Sequence, residues 1–282
     1  METKTVAWGR HTIVWVQSEN VQEALDVLRN GDADGLGCSP HKGFASEDIA
    51  FLADVPRLKG VVLPFAEKYD ITVLERIQGL RFVTVAGNRQ GVDYGALDSL
   101  EELRVEWHEK LVLPAASARL KALYIRGYKP RTKDFTELPQ YQSLTEVEIN
   151  QGNLSSLEGI ECLPKLVSAG LFQLRQLKFV AALGKTNIER LHVEDCKIIA
   201  DFESLRECRE LKSLRWINCG KLKTLKDLNG FEKLEEFRFV NTIIEDGDMT
   251  PLLRMKSVGF LKRSSYSHTP GEIRAVIGNA EA

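Results

Sequence analysis

The 282-residue sequence predicts an α/β solenoid in which short parallel strands alternate with compact return segments and both ends are capped. Three observations lead to this fold class. A nine-residue frame with apolar residues at positions one, four and six recurs at steps of 20 to 25 residues. Between the frames, apolar residues follow a period of three. Turn residues and helix-start signals stand at both ends of the chain.

The frame becomes visible when LKSLRWINC is set above IERLHVEDC, because both read apolar-x-x-apolar-x-apolar-x-x-Cys. The same frame fits the chain eleven times, and its first residues are Ala33, Leu58, Leu80, Leu100, Leu120, Leu144, Leu166, Ile188, Leu211, Leu234 and Val258. Position four is apolar in every copy, ending with Leu261, and position six fails only at Arg263. Each frame therefore predicts a short strand with one buried face.

The segments between frames predict tight turns rather than α-helices. In one of them the apolar residues are Leu154, Leu157, Ile160, Leu163 and Leu166. A period of three fits 3₁₀-like turns and extended crossings better than the 3.6 residues of an α-helix. We therefore expect short 3₁₀ or irregular segments behind the strands.

The two ends predict caps that cover the terminal coils. VAWGRHTIVWV reads as a hairpin, and Asn20 with Glu23 forms a capping-box-like start for a helix that Asn30-Gly31 ends. At the other end Thr269 and Glu272 repeat that start. We expect an N-terminal cap over residues 1–30, about eleven repeats over 31–266, and a cap helix with a tail over 267–282.

Segments such as LTEVEINQGNLSSLEGIECLPKL and LKSLRWINCGKLKTLKDLNGFEKL resemble leucine-rich repeats of the short, internalin-like class. The resemblance covers about residues 31–266. It implies a right-handed solenoid whose concave parallel sheet holds another macromolecule, usually a protein. The ninth position departs from the pattern, because only Asn88, Cys196 and Cys219 carry the usual Asn or Cys. We therefore expect the polar ladder at the strand exits to be mostly absent.

Composition restricts the partners and the compartment. The 38 basic and 40 acidic residues nearly cancel, so no whole-chain field favours nucleic acid or an anionic membrane. No stretch approaches 18 apolar residues, and the first residues lack the apolar run of a secretory signal. Five cysteines, an odd number, favour reduced thiols over disulfides. These observations favour a soluble, free-standing cytoplasmic protein with no membrane partner.

The motifs that could carry chemistry favour simpler interpretations. Cys196, Cys208 and Cys219 with His192 suggest a metal site, but the cysteines lie twelve and eleven residues apart instead of in close pairs. By the frame they occupy core positions. The glycines of NGDADGLGC match neither phosphate-binding pattern, and neither G-x-S-x-G nor H-E-x-x-H occurs. We expect no catalytic residue, no metal or cofactor, no small-molecule substrate and no enzyme activity.

Positions three, five and seven of each frame should face away from the core and line the concave sheet. At position five the last four copies form a basic column of His192, Arg215, Arg238 and Lys262. Arginines and aromatics on a sheet face are typical of protein interfaces, although each residue alone also fits a solvated charged face. The candidate partner-binding residues are Glu102, Arg104, Glu106, Trp107, Tyr124, Arg126, Glu146, Glu148, Phe172, Arg190, His192, Arg215, Arg238 and Lys262.

Two of these residues, Trp107 and Tyr124, are expected to be exposed, so that replacing them should leave thermal stability nearly unchanged. In the first coils, the outward residues form a smoother apolar patch that could also be a contact surface. This patch consists of Gly60, Val62, Phe82 and Ala86.

The sequence therefore predicts a non-catalytic module that binds another protein, such as a toxin or an enzyme, and masks it in the manner of an inhibitor or immunity protein. A regulatory or scaffolding subunit of a multiprotein assembly is the alternative. Nucleic-acid binding through the basic column is a third hypothesis, against which the near-neutral charge and the interleaved glutamates count.

Overall fold

The computed structural model describes residues 5–115 and 119–279 and divides the chain into two compact units, Met1–Ile125 and Arg126–Ala282. The first unit contains β1 (Thr5–Trp8), β2 (His11–Val16), α1 (Val21–Asn30), β3 (Gly35–Cys38), β4 (Gly60–Leu63), β5 (Phe82–Val85) and β6 (Glu102–Glu106). Strand β7 (Ala122–Tyr128) crosses the division. The second unit contains β8 (Glu146–Gly152), β9 (Ser168–Phe172), β10 (Arg190–Glu194), β11 (Ser213–Ile217), β12 (Lys221–Leu222), β13 (Glu236–Val240), β14 (Ile243–Ile244), β15 (Ser257–Gly259) and α2 (Pro270–Asn279).

Most segments between the parallel strands contain 3₁₀ turns, as the period of three predicts; among the described residues, those that follow β6 and β7 are irregular. The 3₁₀ turns run over Pro40–Lys42, Ala50–Asp54, Ile71–Arg76, Tyr94–Ala96, Ile160–Cys162, Ala181–Lys185, Phe202–Glu207, Lys226–Gly230 and Thr250–Arg254. Their apolar residues point into the core, since Leu157, Ile160 and Leu163 are all buried. A side chain every third residue lies on one face of a 3₁₀ turn, so three such residues are enough to anchor each return segment.

In the first unit, β1 and β2 form an antiparallel hairpin, and β2 through β6 then pair in parallel and in chain order. The register aligns position four of successive frames, with Leu36 opposite Val61, Val61 opposite Val83 and Val83 opposite Leu103. All four side chains are fully buried. The frame therefore predicted the buried face of these strands correctly.

In the second unit, β8, β9, β10, β11, β13 and β15 pair in parallel, while β12 and β14 form a separate two-stranded parallel sheet. Position four is again in register and buried, as shown by Ala169, Leu191 and Leu214. Each residue stacks on its equivalent in the next coil, so the core continues from coil to coil within the unit.

The last copy of the frame was predicted three residues out of register. Phe237 pairs with Val258 and Arg238 with Gly259, so Val258 occupies position four and Phe260 position six. Leu261, which was expected in the core, is 57% exposed. Phe260 supplies the buried apolar side chain that Arg263 could not, because an unpaired cation is costly to bury.

The cap helices form where the sequence predicts them, but with different N-terminal contacts. Thr269 and Glu272 make the reciprocal bonds of a capping box: the Thr269 amide donates to Oε2 at 2.7 Å and the Glu272 amide donates to Oγ1 at 3.2 Å. Asn20, by contrast, makes no side-chain cap bond. Gly31 ends α1 in the left-handed conformation. The predicted caps also include residues 1–4 and 280–282, which lie outside the described residues.

The strand exits carry a polar ladder that was predicted to be mostly absent. It lies at position eight of the frame instead of position nine, and its members adopt positive φ values of 50° to 63°. They are Gln151, Gln173, Asp195, Asn218 and Asn241. The Gln151 amide donates to the Gln173 side chain at 2.9 Å, and Asn218 donates to Asp195. Asn and Asp tolerate this left-handed turn best, which explains their place at the exits.

Candidate functional site

We call the side of the sheet that carries positions three, five and seven the outer face. In the first unit this face is covered by the N-terminal hairpin. The apolar patch predicted to be exposed is buried except at Ala86, which is half-buried: Val62 is fully buried, Phe82 is 2% exposed, and both pack against Ile13, Trp8 and Trp15. The prediction of an open contact surface in the first coils was therefore wrong, because the hairpin supplies the apolar side chains that cover it.

Glycines make room for the aromatic rings of this cover. A Cβ on Gly60 would lie 1.9 Å from the ring of Phe82, and a Cβ on Gly37 would lie 2.5 Å from the ring of Trp15. His11 stacks on Phe82 with ring centroids 3.9 Å apart and planes 10° apart. The rings lie directly over the glycines, so the absence of side chains at these glycines leaves space for the rings to pack. The glycines therefore form neither a phosphate-binding loop nor a flat contact surface.

A cluster of polar contacts holds the tip of the hairpin. Trp8 Nε1 donates to Thr84 Oγ1 at 3.2 Å. Glu102, predicted to be exposed, is 3% exposed, and its carboxylate lies 3.2 Å from Arg10 Nε, 3.4 Å from His11 Nε2 and 2.9 Å from Arg104 Nε. A buried carboxylate needs such partners, so Glu102 is a structural anchor for the hairpin.

The neighbouring candidates in the first unit are also engaged internally. The Arg104 guanidinium lies 3.5 Å above the ring centre of Tyr124, which leaves Tyr124 only 8% exposed and contradicts its predicted exposure. The carboxylate of Glu106 accepts a bond from the Gly87 amide at 3.0 Å. Trp107 follows β6 and is half-buried. This group thus stabilises the first unit from within.

The outer face of the second unit presents three rows of side chains in register. Position three carries Glu146, Ser168, Arg190, Ser213, Glu236 and Ser257. Position five carries Glu148, Gly170, His192, Arg215, Arg238 and Gly259. Position seven carries Asn150, Phe172, Glu194, Ile217 and Val240. All of these residues are half-buried or exposed, in contrast to the first unit.

The basic column predicted at position five is shorter than expected. His192, Arg215 and Arg238 stand in register on β10, β11 and β13, but the next strand places Gly259 opposite Arg238. Lys262 follows β15 and is exposed outside the sheet, so its place in the column was wrong. The cause is the three-residue register error in the last frame.

His192 sits in a partly buried contact at the start of this column. Its ring meets Phe172 edge to face at 4.8 Å between centroids, and its Nε2 lies 3.2 Å from Glu194. Burial is the largest cause that lowers the pKa of His192 below its ordinary value of 6.5; the nearby Glu194 acts to raise this pKa and the Arg215 cation acts to lower it. The neutral imidazole is therefore favoured here, and the permanent charge of the column comes from its arginines.

Two functional candidates were missed by sequence reasoning. Ile217 and Val240 face outward in register, two residues beyond Arg215 and Arg238. Both are half-buried. The sequence pattern that could have identified them is an apolar residue at position seven in two successive frames, because polar residues are expected at positions that face solvent. Arg126 and Arg190, predicted candidates on β7 and β10, are exposed as expected.

The cysteines belong to the core, as the frame predicts. Cys196, Cys208 and Cys219 are buried, and burial raises their pKa values to about 11, 12 and 12. The thiols of Cys196 and Cys219 donate to backbone carbonyls of the preceding coil, Leu171 and Val193. Within residues 5–115 and 119–279, no group of three His, Cys, Asp or Glu side chains is placed to hold a metal ion. Among the same residues, no helix has the length and apolar character to cross a membrane.

Comparison with known proteins finds similarity in structure alone. No protein-family model and no curated protein matches the sequence. An internalin of Listeria monocytogenes is similar over 94% of this chain and 84% of its own, with a TM-score of 0.55 and 11% identity. An internalin C2 of the same organism covers 76% of this chain and 75% of its own, with a TM-score of 0.34 and 16% identity. A leucine-rich repeat protein of Leptospira interrogans covers 83% and 74%, with a TM-score of 0.40 and 14% identity.

The likeness to the first internalin shows the fold and agrees with the frame, the parallel strands and the 3₁₀ returns described above. The chain therefore has the leucine-rich repeat fold, an α/β solenoid of short parallel strands.

Proposed function

We propose that the protein is a non-catalytic module that binds another protein through the outer face of its second unit and masks the bound surface of that partner. One observation carries the proposal. On four neighbouring strands, β9, β10, β11 and β13, arginine, aromatic and aliphatic side chains stand in register on a face that the chain itself leaves accessible. Such residues dominate the energetics of protein interfaces.

The rigidity of this face supports the proposal. Phe172, Arg190, Ile217 and Val240 all project from strands whose opposite side is packed into the core. A preformed sheet does not have to be ordered when the partner binds, so little conformational entropy is lost. A broad, rigid face suits masking of a partner's surface, such as the active surface of a toxin or enzyme.

We also propose a compartment for the protein, from the state of its thiols. All five cysteines are free, and four of them are buried. Free thiols fit a reducing compartment, so we place both the protein and its partner in the cytoplasm.

The test is affinity capture from a lysate of the native host with three matched proteins. These are the wild type, Ile217→Asp in the centre of the outer face, and Phe179→Asp, which alters a 53% exposed side chain on a return segment. We expect one dominant protein to be retained by the wild type and by Phe179→Asp but not by Ile217→Asp. With the purified partner, Ile217→Asp should weaken binding by at least ~10-fold, because it places a charge in an apolar contact.

Masking is then measured directly, by asking whether the purified complex loses the partner's own activity. Capture of several partners whose activities persist would favour the scaffolding alternative. Retention that is equal for all three proteins would contradict binding by the outer face.

A further inference from the structure

From the chemistry of the outer face we propose, on the basis of the function above, that the partner is recognised through an acidic segment that also carries aliphatic side chains. Its carboxylates pair with Arg215 and Arg238, and its aliphatic groups pack on Ile217 and Val240.

The first observation is that these two arginines have no ion-pair partner among the described residues. Cations on the sheet or directly beside it are matched elsewhere: Arg104 on β6 has Glu102 at 2.9 Å, and Lys212, just before β11, has Glu189 at 3.1 Å. No carboxylate of the described chain lies within 4.0 Å of Arg215 or Arg238. Both guanidiniums are therefore free to bind an anion.

The second observation is that the nearest glutamates on the face are engaged with other groups. Glu236 accepts a bond from Ser213 Oγ at 3.1 Å, and Glu194 lies 3.2 Å from His192. Because these carboxylates are directed elsewhere, the charge of the arginines is not neutralised from within the sheet.

The third observation is the register of the two arginines. Arg215 and Arg238 stand directly opposite each other on adjacent strands, an arrangement that places like charges side by side and destabilises a sheet. Gly259, opposite Arg238 on the following strand, leaves room for its stem: a Cβ there would lie 3.2 Å from Arg238 Cγ. A bound carboxylate pair would relieve this repulsion, since guanidinium groups bind carboxylates through two parallel hydrogen bonds.

The apolar row defines the rest of the partner's chemistry. Ile217 and Val240 are also in register, and each lies two residues after its arginine on the same face, about 7 Å along the strand. A matching segment therefore presents its carboxylates and its aliphatic side chains about 7 Å apart, the spacing of alternate residues in an extended chain.

The same arginines could attract phosphates, but the face opposes a nucleic acid. Glu148, Glu194 and Glu236 are interleaved with the cations, and the position-seven side chains beyond the arginines, Ile217 and Val240, are aliphatic and offer no ring for stacking on bases. Carboxylates on a protein segment avoid both problems, because each can be placed individually over a guanidinium.

The experiment uses the full-length protein and a phage-displayed library of random 16-residue peptides as the probe. Selected peptides are synthesised, and their binding is followed by fluorescence anisotropy at low and high salt. Arg215→Ala/Arg238→Ala removes the pair, and Arg215→Lys/Arg238→Lys keeps its charge. Arg206→Ala/Arg209→Ala makes the same change in net charge on a return segment and its turn. Thermal melting of each variant checks that it folds.

We expect the selected peptides to be rich in Asp or Glu together with Ile, Leu or Val. Their affinity should fall at least ~10-fold in the Arg215→Ala/Arg238→Ala protein, fall less in the Lys variant, weaken with salt, and remain unchanged in the Arg206/Arg209 control. Peptides without acidic residues, equal binding to all variants, or no selected peptide would overturn the inference. The inference would also be overturned if a 20-nucleotide RNA bound more tightly than the selected peptides and lost that binding in the Arg215→Ala/Arg238→Ala protein.

Failure of this inference can be told apart from failure of the proposed function. A captured partner whose binding is lost in Ile217→Asp but unaffected by Arg215→Ala/Arg238→Ala leaves the proposed function standing and removes only the acidic segment.

Discussion

The same repeat frame forms an outer face in each unit, but the face is buried in the first unit and accessible in the second. In the first unit, Phe82 lies over Gly60 and beneath His11, and it is 2% exposed. In the second unit, Phe172 lies against Gly170, where a Cβ would come within 2.6 Å of its ring, yet it remains half exposed. An aromatic ring beside a glycine therefore becomes core only where the chain supplies a second layer above it.

The charged side chains of the two outer faces differ in the same way. Glu102 in the first unit gathers two arginines and a histidine around a buried carboxylate. In the second unit, Arg215 and Arg238 stand in register without an ion pair among the described residues. A face that satisfies its own apolar and charged groups has little left to offer a partner. This contrast is the reason that we propose the second unit, and not the first, as the binding surface.

The largest effect is expected from Phe82→Ala. Removing this buried ring leaves a cavity beneath His11 and Trp8, and we expect the free energy of unfolding to fall by about 3 to 5 kcal/mol. Urea denaturation followed by circular dichroism measures the change. Phe172→Ala is the matched control on the open face, where a half-exposed ring should cost less than about 1.5 kcal/mol.

Equal losses in the two phenylalanine variants would show that the hairpin does not bury Phe82 in solution. The comparison between a closed and an open face would then fail, although the register of the strands would be unaffected.

A smaller effect is expected from Glu102→Gln. This change keeps the shape but removes the charge that holds Arg10, His11 and Arg104, and it should cost about 2 kcal/mol because hydrogen bonds to buried charged groups are lost. Glu194→Gln removes an exposed partner of His192 and should cost under about 1 kcal/mol. Hydrogen exchange of the β1–β2 amides provides a second readout, and unchanged exchange in Glu102→Gln would show that the carboxylate does not anchor the hairpin.

The buried side of the sheet could be predicted from sequence because its signal is local and repeated. Position four is apolar in all eleven copies, and a strand places alternate residues on opposite faces, so the frame assigns the core directly. The last copy shows the limit of this reasoning. The predicted frame places Leu261 at position four, whereas the structure places Val258 there, and both residues are apolar. Only the charge of Arg263 at position six of the predicted frame indicates the error.

The closure of the first unit could not be predicted in this way, because it depends on contacts between distant parts of the chain. Trp8 and Thr84 are 76 residues apart in the sequence. Nothing in VAWGRHTIVWV indicates which strands the tip of the hairpin contacts. The only local sign was a set of glycines at outward positions, Gly35, Gly37 and Gly60, opposite a region rich in aromatics. Glycine on a strand often marks close approach of another group, and here the groups are the rings of Trp15 and Phe82.

The smallest effect sharpens the electrostatic side of the comparison. The pKa of His192 lies below its ordinary value of 6.5 because the ring is partly buried, with Glu194 acting to raise it and Arg215 to lower it. The unfolded chain therefore takes up a proton before the folded protein does, and this residue makes stability fall slightly as the pH drops through 6.5. Titration of the imidazole signal by nuclear magnetic resonance, assigned through its loss in His192→Gln, should give a midpoint below 6.5. Arg215→Ala should raise that midpoint and Glu194→Gln should lower it. A midpoint above 6.5 in the wild type would mean that a carboxylate dominates at this position, which would make the open face less cationic than the arginine pair implies.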